Sequence, residues 1–393
     1  MSVKIMMVLE ATAGGSARHV IELARGCQRR GFDVHLVCGI RRNAEFRSTL
    51  CELEETGLTV HELDMLRELH PLHDAAAALR LRRLVLTINP QVLHLHSSKA
   101  GGLGRSAVLG LGRRAPRVIY TPHAFAFLAC EGGLNRWVYR CLETALIPWT
   151  DEIVAVSESE GQAALGLSAR RVSVIPNGVN ATNTSSAYVR APGPLRIGWL
   201  GRLGWQKNPE GAVKTSQALF SQRVDHELLL GGINETDLPE ENLKQASGHA
   251  VRTLGFVRDT DAFHAGIDIF LMTSRCEGLP YSGLDAMSHG RPIVGFDVPG
   301  VKDLVEHGVT GLLAPRGDFR LLAANIARLA RDAKLREALG VAAQHRVRRK
   351  FQLEAQLDRL GDLYRLLAST GKVHDPETRK HVIQPCPHSY FTE

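Results

Sequence analysis

The chain has 393 residues, 44% of them hydrophobic and 23% charged, an ordinary globular balance at a length that calls for two domains rather than one core. Seven cysteines form an odd set with no CxxC pair, which argues against a disulfide framework or a zinc site and for reduced cytoplasmic thiols. No apolar run approaches about 18 residues, which excludes a membrane-spanning helix, and the net charge of +7 points to anionic partners such as nucleotides, phospholipid headgroups or nucleic acid.

In chain order, KIMMVLE (4–10) reads as a strand, without the charged leader and long apolar stretch of a signal peptide. An amphipathic segment follows around Ala17–Arg30, then DVHLVC (33–38), TVHEL (59–63) and a helix around His73–Thr87. VLHLHS (92–97), RVIYT (117–121), EIVAVS (152–157) and RVSVIPN (171–177) continue the rhythm of repeated strand and helix, the mark of a parallel sheet covered on both faces. The polar segment at 182–195, with its Pro and Gly, reads as a linker. The rhythm restarts with RIGWLG (196–201), HELLLGG (226–232), VRTLGFV (251–257), IDIFLMT (267–273), RPIVGFD (291–297) and TGLLA (310–314). The expected organisation is α/β: one doubly wound domain over 1–181, a second over 196–350, and a helix over 351–370 returning to the first. The tail over 371–393 has no periodicity and is expected to be poorly ordered. In such sheets ligands lie beyond the carboxyl ends of the strands, and two facing sheets would make a cleft.

The loops at those strand ends carry the candidate chemistry. In GRLGWQKNPEG, Gly201 and Gly204 permit a tight loop, Asn208 and Pro209 open a helix, and Arg202 and Lys207 stand near its positive end. Phosphate is favoured there by free N–H groups and by two cations. In SRCEGLPYSGLDAMSHGRP, Glu277 lies in the turn after a strand, beside Gly278 and Leu279, and Asp285 lies on the next helix. A helix dipole accounts for one acid in a first turn but not for Glu277 outside the helix; paired acceptors suit the vicinal hydroxyls of a ribose or a sugar. Gly14 and Gly15 let backbone approach a ligand after the first strand, and His123 ends another strand. Gly102-x-Gly104-x-x-Ala107 comes close to a dinucleotide fingerprint, but the next strand runs into Pro122 and His123 instead of an acid, so NAD binding is rejected. Ser97, Ser98 and Lys99 remain candidate cleft residues. Asp259-Thr-Asp261 resembles a metal clasp and is read instead as a helix cap.

Together, GRLGWQK, GFVRD and SRCEGLPYSGLDAMSHGRPIVGFDVPGVKDLVEHGVTGLL resemble the family 4 glycosyltransferases of the GT-B fold, of the bacterial cell-surface polysaccharide type. The likeness runs from Glu10 to about Leu367 and is strongest between Gly198 and Leu313. It implies retaining transfer from a nucleotide-diphosphate sugar bound on the C-terminal domain to a glycan acceptor on the N-terminal domain. By the family pattern Arg202 and Lys207 hold the donor diphosphate, Glu277 lies near the transferred sugar, His123 contacts it, and Asp285, where the family usually has Glu, accepts from the ribose. The Gly14–Gly15 loop approaches the reaction centre. EATAGGSARHV and HSSKAGGLGR are similar to enzymes that build capsular or exopolysaccharide repeats on a polyprenyl carrier.

Arg202 and Lys207 already face the diphosphate and no acid-rich cluster is visible in the sequence, so no metal and no cofactor beyond the donor are expected. No nucleic-acid partner is expected, whereas peripheral contact with an anionic cytoplasmic membrane surface is. Rival readings are another GT-B enzyme, such as a phosphorylase or a sugar-nucleotide epimerase, and a non-catalytic nucleotide-sugar-binding subunit.

Overall fold

The computed structural model describes residues 2–12, 14–39, 46–66, 68–130, 132–180, 193–232, 250–370 and 383–384. The chain divides into two compact units: Met1–Leu128 with Gly132–Pro176 and Glu354–Glu393 form one, and Asn177–Leu353 with a short piece near 130 the other. Most of the segment read as a linker and most of the tail lie outside the described residues.

The first unit holds β1 (Lys4–Leu9), α1 (Gly15–Arg29), β2 (Asp33–Cys38), α2 (Phe46–Glu55), β3 (Thr59–Glu62), α3 (Pro71–Ile88), β4 (Val92–His96), α4 (Ser98–Ala107), β5 (Arg117–Thr121), α5 (Ala126–Ala129), α6 (Gly133–Leu146), β6 (Glu152–Ala155), α7 (Glu158–Leu165) and β7 (Val172–Val174). The second continues with β8 (Leu195–Leu200), α8 (Pro209–Ser221), β9 (His226–Gly231), β10 (Val251–Gly255), α9 (Thr260–Ala265), β11 (Ile269–Met272), α10 (Tyr281–Ser288), β12 (Ile293–Phe296), α11 (Val301–Leu304), β13 (Gly311–Ala314), α12 (Phe319–Arg331) and α13 (Ala333–Lys350). The last helix, α14 (Leu353–Ser369), runs back to the first unit, and Ile383–Gln384, within the tail expected to be unpatterned, form the edge strand β14.

Every strand pair is parallel. The first sheet runs β14-β7-β6-β5-β4-β1-β2-β3 and the second β10-β9-β8-β11-β12-β13. Both faces are covered, so the strands read as continuous apolar runs: Ile5, Met6, Met7, Val8 and Leu9 are all 0% exposed. On one face of the first sheet α3, α4, α6 and α7 share a core with Met6, Val8, Leu93, Leu95 and Tyr120. On α1, Val20, Leu23, Ala24 and Cys27 are buried at helical spacing, and a side chain on Gly26 would meet Leu357 of α14 at 2.5 Å.

Two sequence ambiguities resolve in the structure. Gly102 and Gly104 lie inside α4, not in a strand-to-helix turn, and a Cβ at Gly104 would meet Leu95 at 2.1 Å; here glycine serves close helix-on-sheet packing. Asp259 caps α9 by accepting from the Ala262 N–H at 2.8 Å.

The order of each sheet reverses at one place. In the first, β1 lies between β2 and β4; in the second, β8 lies between β9 and β11. In open parallel sheets such switch points are where ligands bind, beyond the carboxyl ends of the strands.

Candidate functional site

At the β1/β4 switch point the histidines gather at the carboxyl end of β4. In β4, His94 and His96 sit two residues apart, so the pleat turns both to one face. His94 is held on both nitrogens, by the Tyr364 hydroxyl at 2.7 Å and the Thr121 hydroxyl at 2.9 Å. His96 Nδ1 lies 3.2 Å from His123 Nε2, a hydrogen bond in which one ring donates and the other accepts. His19 of α1 meets the His123 ring edge-on with centroids 4.5 Å apart, and its Nδ1 accepts from the Gln356 amide at 3.3 Å. Burial pushes the imidazoles of His94, His96 and His123 well below the ordinary histidine range, and repulsion from neighbouring histidines, His19 among them, adds to this. These rings are therefore neutral at pH 7 and can accept or donate hydrogen bonds without carrying charge.

The turn that presents His123 is strained. His123 and Ala124 both have positive φ, 55° and 78°, at a cost of about 1–2 kcal/mol each for residues with a Cβ. Buried Glu160 holds it there: one carboxylate oxygen accepts from the Ala124 N–H at 2.6 Å and the other from the Val156 N–H at 2.8 Å. Gly14, with φ of 79°, caps the N-terminus of α1, and Gly14 and Gly15 are both exposed. Nearby strand ends leave Thr12 Oγ1, His96 Nε2 and Ser97 Oγ buried with no hydrogen bond to protein, polar atoms of the kind a bound hydroxylated ligand satisfies.

Ser98 and Lys99 open α4. The Ser98 hydroxyl accepts from the Ala126 N–H at 3.2 Å. Lys99 is pinned between the Glu68 carbonyl at 2.7 Å and Asp74 at 2.6 Å, which gives it a structural task within the unit.

The β8/β11 switch point is ionic. Lys207 Nζ lies 2.6 Å from Glu277 Oε1, which also accepts from the Ser274 hydroxyl at 2.6 Å. The two loops are stitched together. The Arg275 N–H donates to Gln206 O at 2.8 Å, the Gln206 amide to Cys276 O at 3.1 Å, and the Asn208 amide to Thr273 O at 3.1 Å. The Arg275 guanidinium lies 4.8 Å from the Trp205 ring centre. Asn208 takes a left-handed conformation at the N-cap of α8, and Arg202 is exposed on the loop before it.

Behind Glu277, the Glu277 N–H donates to Pro299 O at 2.9 Å. Gly300, at φ 81°, packs so closely that a Cβ would meet Glu277 O at 2.5 Å. Gly278 and Leu279 are buried, with Leu279 O accepting from the Asn177 amide at 2.7 Å. Asp285 is buried at 9% exposure in α10. The structure thus joins Lys207 to Glu277 and gathers His123 with three further histidines.

His19, His94, His96, Glu160, Ser274 and Gly300 carry no motif in the sequence that marks them as site residues. The HLH alternation in VLHLHS was the one available signal for His94 and His96.

Among the described residues one group has metal-ligand spacing: nitrogens of His19, His96 and His123 lie within 4.8 Å of one another. Nitrogen donors suit zinc or nickel rather than the oxygen-seeking Mg²⁺. This trio belongs to the first unit, whereas the phosphate-type cations Arg202 and Lys207 belong to the second.

Both halves of the chain match known sequence families. The profile described as Glycosyltransferase Family 4 matches residues 13–183, and that of Glycosyl transferases group 1 matches residues 194–332. The chain belongs to the family 4 glycosyltransferases. It is 24% identical over 355 residues to an Escherichia coli UDP-Gal:alpha-D-GlcNAc-diphosphoundecaprenol alpha-1,3-galactosyltransferase, covering 85% of this chain and 89% of that one. It is also 24% identical over 377 residues to the capsular polysaccharide biosynthesis glycosyltransferase CapM of Staphylococcus aureus, covering 90% and 96%. The fold of this family 4 chain superposes on Anabaena HepE, solved with UDP and glucose, with a TM-score of 0.74 at 20% identity, covering 93% of this chain and 100% of that one. The architecture is GT-B, as the sequence resemblance implied.

Proposed function

We propose that this family 4 glycosyltransferase moves a sugar, with retention of configuration, from a nucleotide-diphosphate sugar to a lipid-linked saccharide in capsule, exopolysaccharide or lipopolysaccharide assembly. The Lys207–Glu277 pair at the β8/β11 switch point carries the reading: a cation and a carboxylate fixed 2.6 Å apart in a hydrogen-bonded loop pair. In this reading Arg202 and Lys207 meet the diphosphate of the donor, whose negative charge grows as the sugar leaves, so their attraction is strongest in the transition state. Glu277, Gly278 and Leu279 position the sugar, and Asp285 accepts from the ribose hydroxyls. The first unit receives the acceptor, with the Gly14–Gly15 turn and His123 at its working edge. A neutral His123 hydrogen-bonds a sugar hydroxyl without placing a cation beside the oxocarbenium-like centre.

In the transfer step the bond between the anomeric carbon and the phosphate oxygen breaks. The acceptor oxygen bonds to the same face of that carbon, its proton passes to the departing phosphate oxygen, and the nucleoside diphosphate leaves. Sequence likeness to the diphosphoundecaprenol galactosyltransferase and to CapM supports the lipid-linked acceptor and the pathway class.

The test is to incubate the full-length protein with a panel of UDP-, GDP-, ADP- and dTDP-sugars and a detergent-dispersed polyprenyl-diphosphate saccharide. Products are read by mass and by the anomeric coupling constant. A retained anomeric configuration and one favoured donor support the reading. Conversion of a nucleotide sugar without acceptor, a need for inorganic phosphate, or binding without turnover would replace it by an epimerase, a phosphorylase or a non-catalytic subunit. Because fixed cations serve the diphosphate, transfer should persist in EDTA. Activity abolished by EDTA and restored by Mg²⁺ or Mn²⁺ would assign that charge to a metal instead.

A further inference from the structure

Three histidines from three separate elements converge beyond the carboxyl end of β4. His96, the last residue of β4, pairs in register with Leu9 of β1 on one side and Thr121 of β5 on the other. His123 lies two residues beyond Thr121, and His19 lies early in α1, which β1 enters through Gly14 at φ 79°. One ring nitrogen from each histidine lies within 4.8 Å of the other two, and His96 Nδ1 is 3.2 Å from His123 Nε2. Four-coordinate zinc, with nitrogens about 2.0–2.1 Å away, holds neighbouring nitrogens about 3.4 Å apart. The tightest pair is therefore at the spacing of zinc ligands, and a small side-chain rotation brings in the third.

Hydrogen bonding between rings explains the His96–His123 contact but not the rest. His96 Nε2 is buried with no hydrogen bond to protein, on a side chain that is 0% exposed, and an orphaned polar atom at that depth is costly. His94 supplies the contrast: the Tyr364 and Thr121 hydroxyls take up both its nitrogens, as expected of a histidine that serves packing alone. His123 is also placed against its backbone preference, in the positive-φ turn that Glu160 clamps, and strain of this kind collects at ligand clamps and active sites.

A histidine that ligates a metal through one nitrogen normally gives the N–H of the other to a fixed acceptor. His19 has a partner for this: the Gln356 amide of α14, 5% exposed, lies 3.3 Å from its Nδ1. Turned over by half a rotation, that amide presents its carbonyl to an Nδ1 proton and leaves the lone pair on the other ring nitrogen. His19 and His96 are buried and His123 is partly open, so an ion enters past His123. Imidazole nitrogens select zinc, nickel or copper over Mg²⁺ and Ca²⁺.

We infer that His19, His96 and His123 form a zinc-class metal site in the first unit, backed by Gln356, and that filling it inhibits transfer. The ion would occupy His123 and deny its ring to the sugar. The inhibition rests on the proposed role of His123; the site itself does not. Since the ion is an inhibitor, transfer in EDTA and this site are compatible.

Full-length protein stripped of metal should be titrated with Zn²⁺ against a chromophoric chelator, and with Co²⁺ in the visible range. One tight equivalent is expected, with no sulfur-to-cobalt charge-transfer band and with imidazole nitrogens at about 2.0–2.1 Å by X-ray absorption of the zinc form. His96→Asn and His19→Asn should each weaken zinc binding by more than the roughly 10–100-fold that loss of an outer partner costs. Gln356→Leu should weaken it by about 10–100-fold and Gln356→Glu should tighten it, a reversal that a packing role would not produce. His61→Gln, which breaks the other imidazole pair, 3.1 Å from His35, should change nothing. Circular dichroism and melts of the stripped variants check folding; should a histidine variant fail to fold, the two Gln356 variants decide. Zinc should inhibit transfer over the range in which it binds, and excess EDTA should restore it. Weak zinc binding that neither His96→Asn nor the Gln356 variants alter, or cysteine ligation in the cobalt form, would overturn the site. Tight binding with undiminished transfer would overturn the inhibition. Tight zinc binding in a protein that transfers no sugar would support the site while the glycosyl-transfer reading failed.

Discussion

The two sheets present their switch points in opposite chemical styles. At β1/β4 the groups are imidazoles stripped of water and held neutral, joined ring to ring, on a turn strained at His123 and Ala124. At β8/β11 the groups are an ammonium and a carboxylate in direct contact, carried on loops tied by side-chain to backbone hydrogen bonds. The same Rossmann-like plan therefore yields a neutral recognition surface in one unit and a charged one in the other. What differs is the residue that follows each strand, not the architecture beneath it.

The largest expected effect tests whether the ionic half works as one device. Lys207→Ala and Glu277→Ala should each lower kcat by about 100- to 1,000-fold, the usual cost of a lost transition-state charge partner. The double variant should be little worse than the poorer single, as for residues acting together. Because the pair is largely buried, each single should also melt earlier; additive kinetic losses would mean two independent roles.

Acid should discriminate against the neutral half. The folded form holds His94, His96 and His123 with pKa values below the unfolded value near 6.5, so below that pH the unfolded chain binds more protons. Their contribution to stability is complete above about pH 6.5 and is lost as pH falls toward the folded values. One histidine contributes at most about 1.4 kcal/mol per pH unit, and the first unit should lose stability progressively between pH 7 and 5. Melting curves across that range, with His96→Asn as a flatter reference, decide it; pH-independent melting would mean the rings are not held neutral.

Glu160 sharpens the comparison further, because here a charged group serves the neutral half indirectly. Glu160→Gln keeps one acceptor oxygen but puts an N–H donor where the second carboxylate oxygen accepted a backbone N–H. Releasing the turn should reduce kcat by about tenfold while leaving donor KM nearly unchanged, since 1 Å of misplacement is costly in turnover. A matching rise in donor KM would place Glu160 in donor binding instead. The smallest effect is at Asp285. Asp285→Ala should raise donor KM about tenfold with a lesser change in kcat, as expected for one lost hydrogen bond to a charged group, and Asp285→Glu should be tolerated. An unchanged KM in Asp285→Ala would remove the ribose role.

The fold was legible because buried parallel strands are apolar on both faces, and runs such as KIMMVLE and IDIFLMT leave little else to form. The β8 and β11 loops were legible too, as Gly and Pro breaks directly after such runs. The contacts inside the candidate site were not. Lys207 and Glu277 are 70 residues apart and pair only because β8 and β11 are neighbours across the switch point. Glu160 stands at a helix start capped by Ser157, whose hydroxyl accepts from the Glu160 N–H at 3.2 Å, so its local setting gives it an ordinary place; its second task depends on a turn 36 residues away. α4 and α6 follow from the strand-helix rhythm but carry no clear pattern of their own, since Gly101, Gly102 and Gly104 are poor helix formers and α6 lacks the inward apolar stripe that signals a surface helix.

The return of α14 has a consequence for how the protein is made. Leu357, Leu360 and Tyr364 are each 0% exposed, and from Glu354 onward the helix belongs to the first unit. The second unit is built from the nearly unbroken run Asn177–Leu353, so its sequence leaves the ribosome complete while the first still lacks a wall. Domains usually finish in the order of synthesis; here that order is reversed. Until the final helix arrives, the nascent first unit has an uncovered apolar side next to α1, a natural place for a chaperone to hold it.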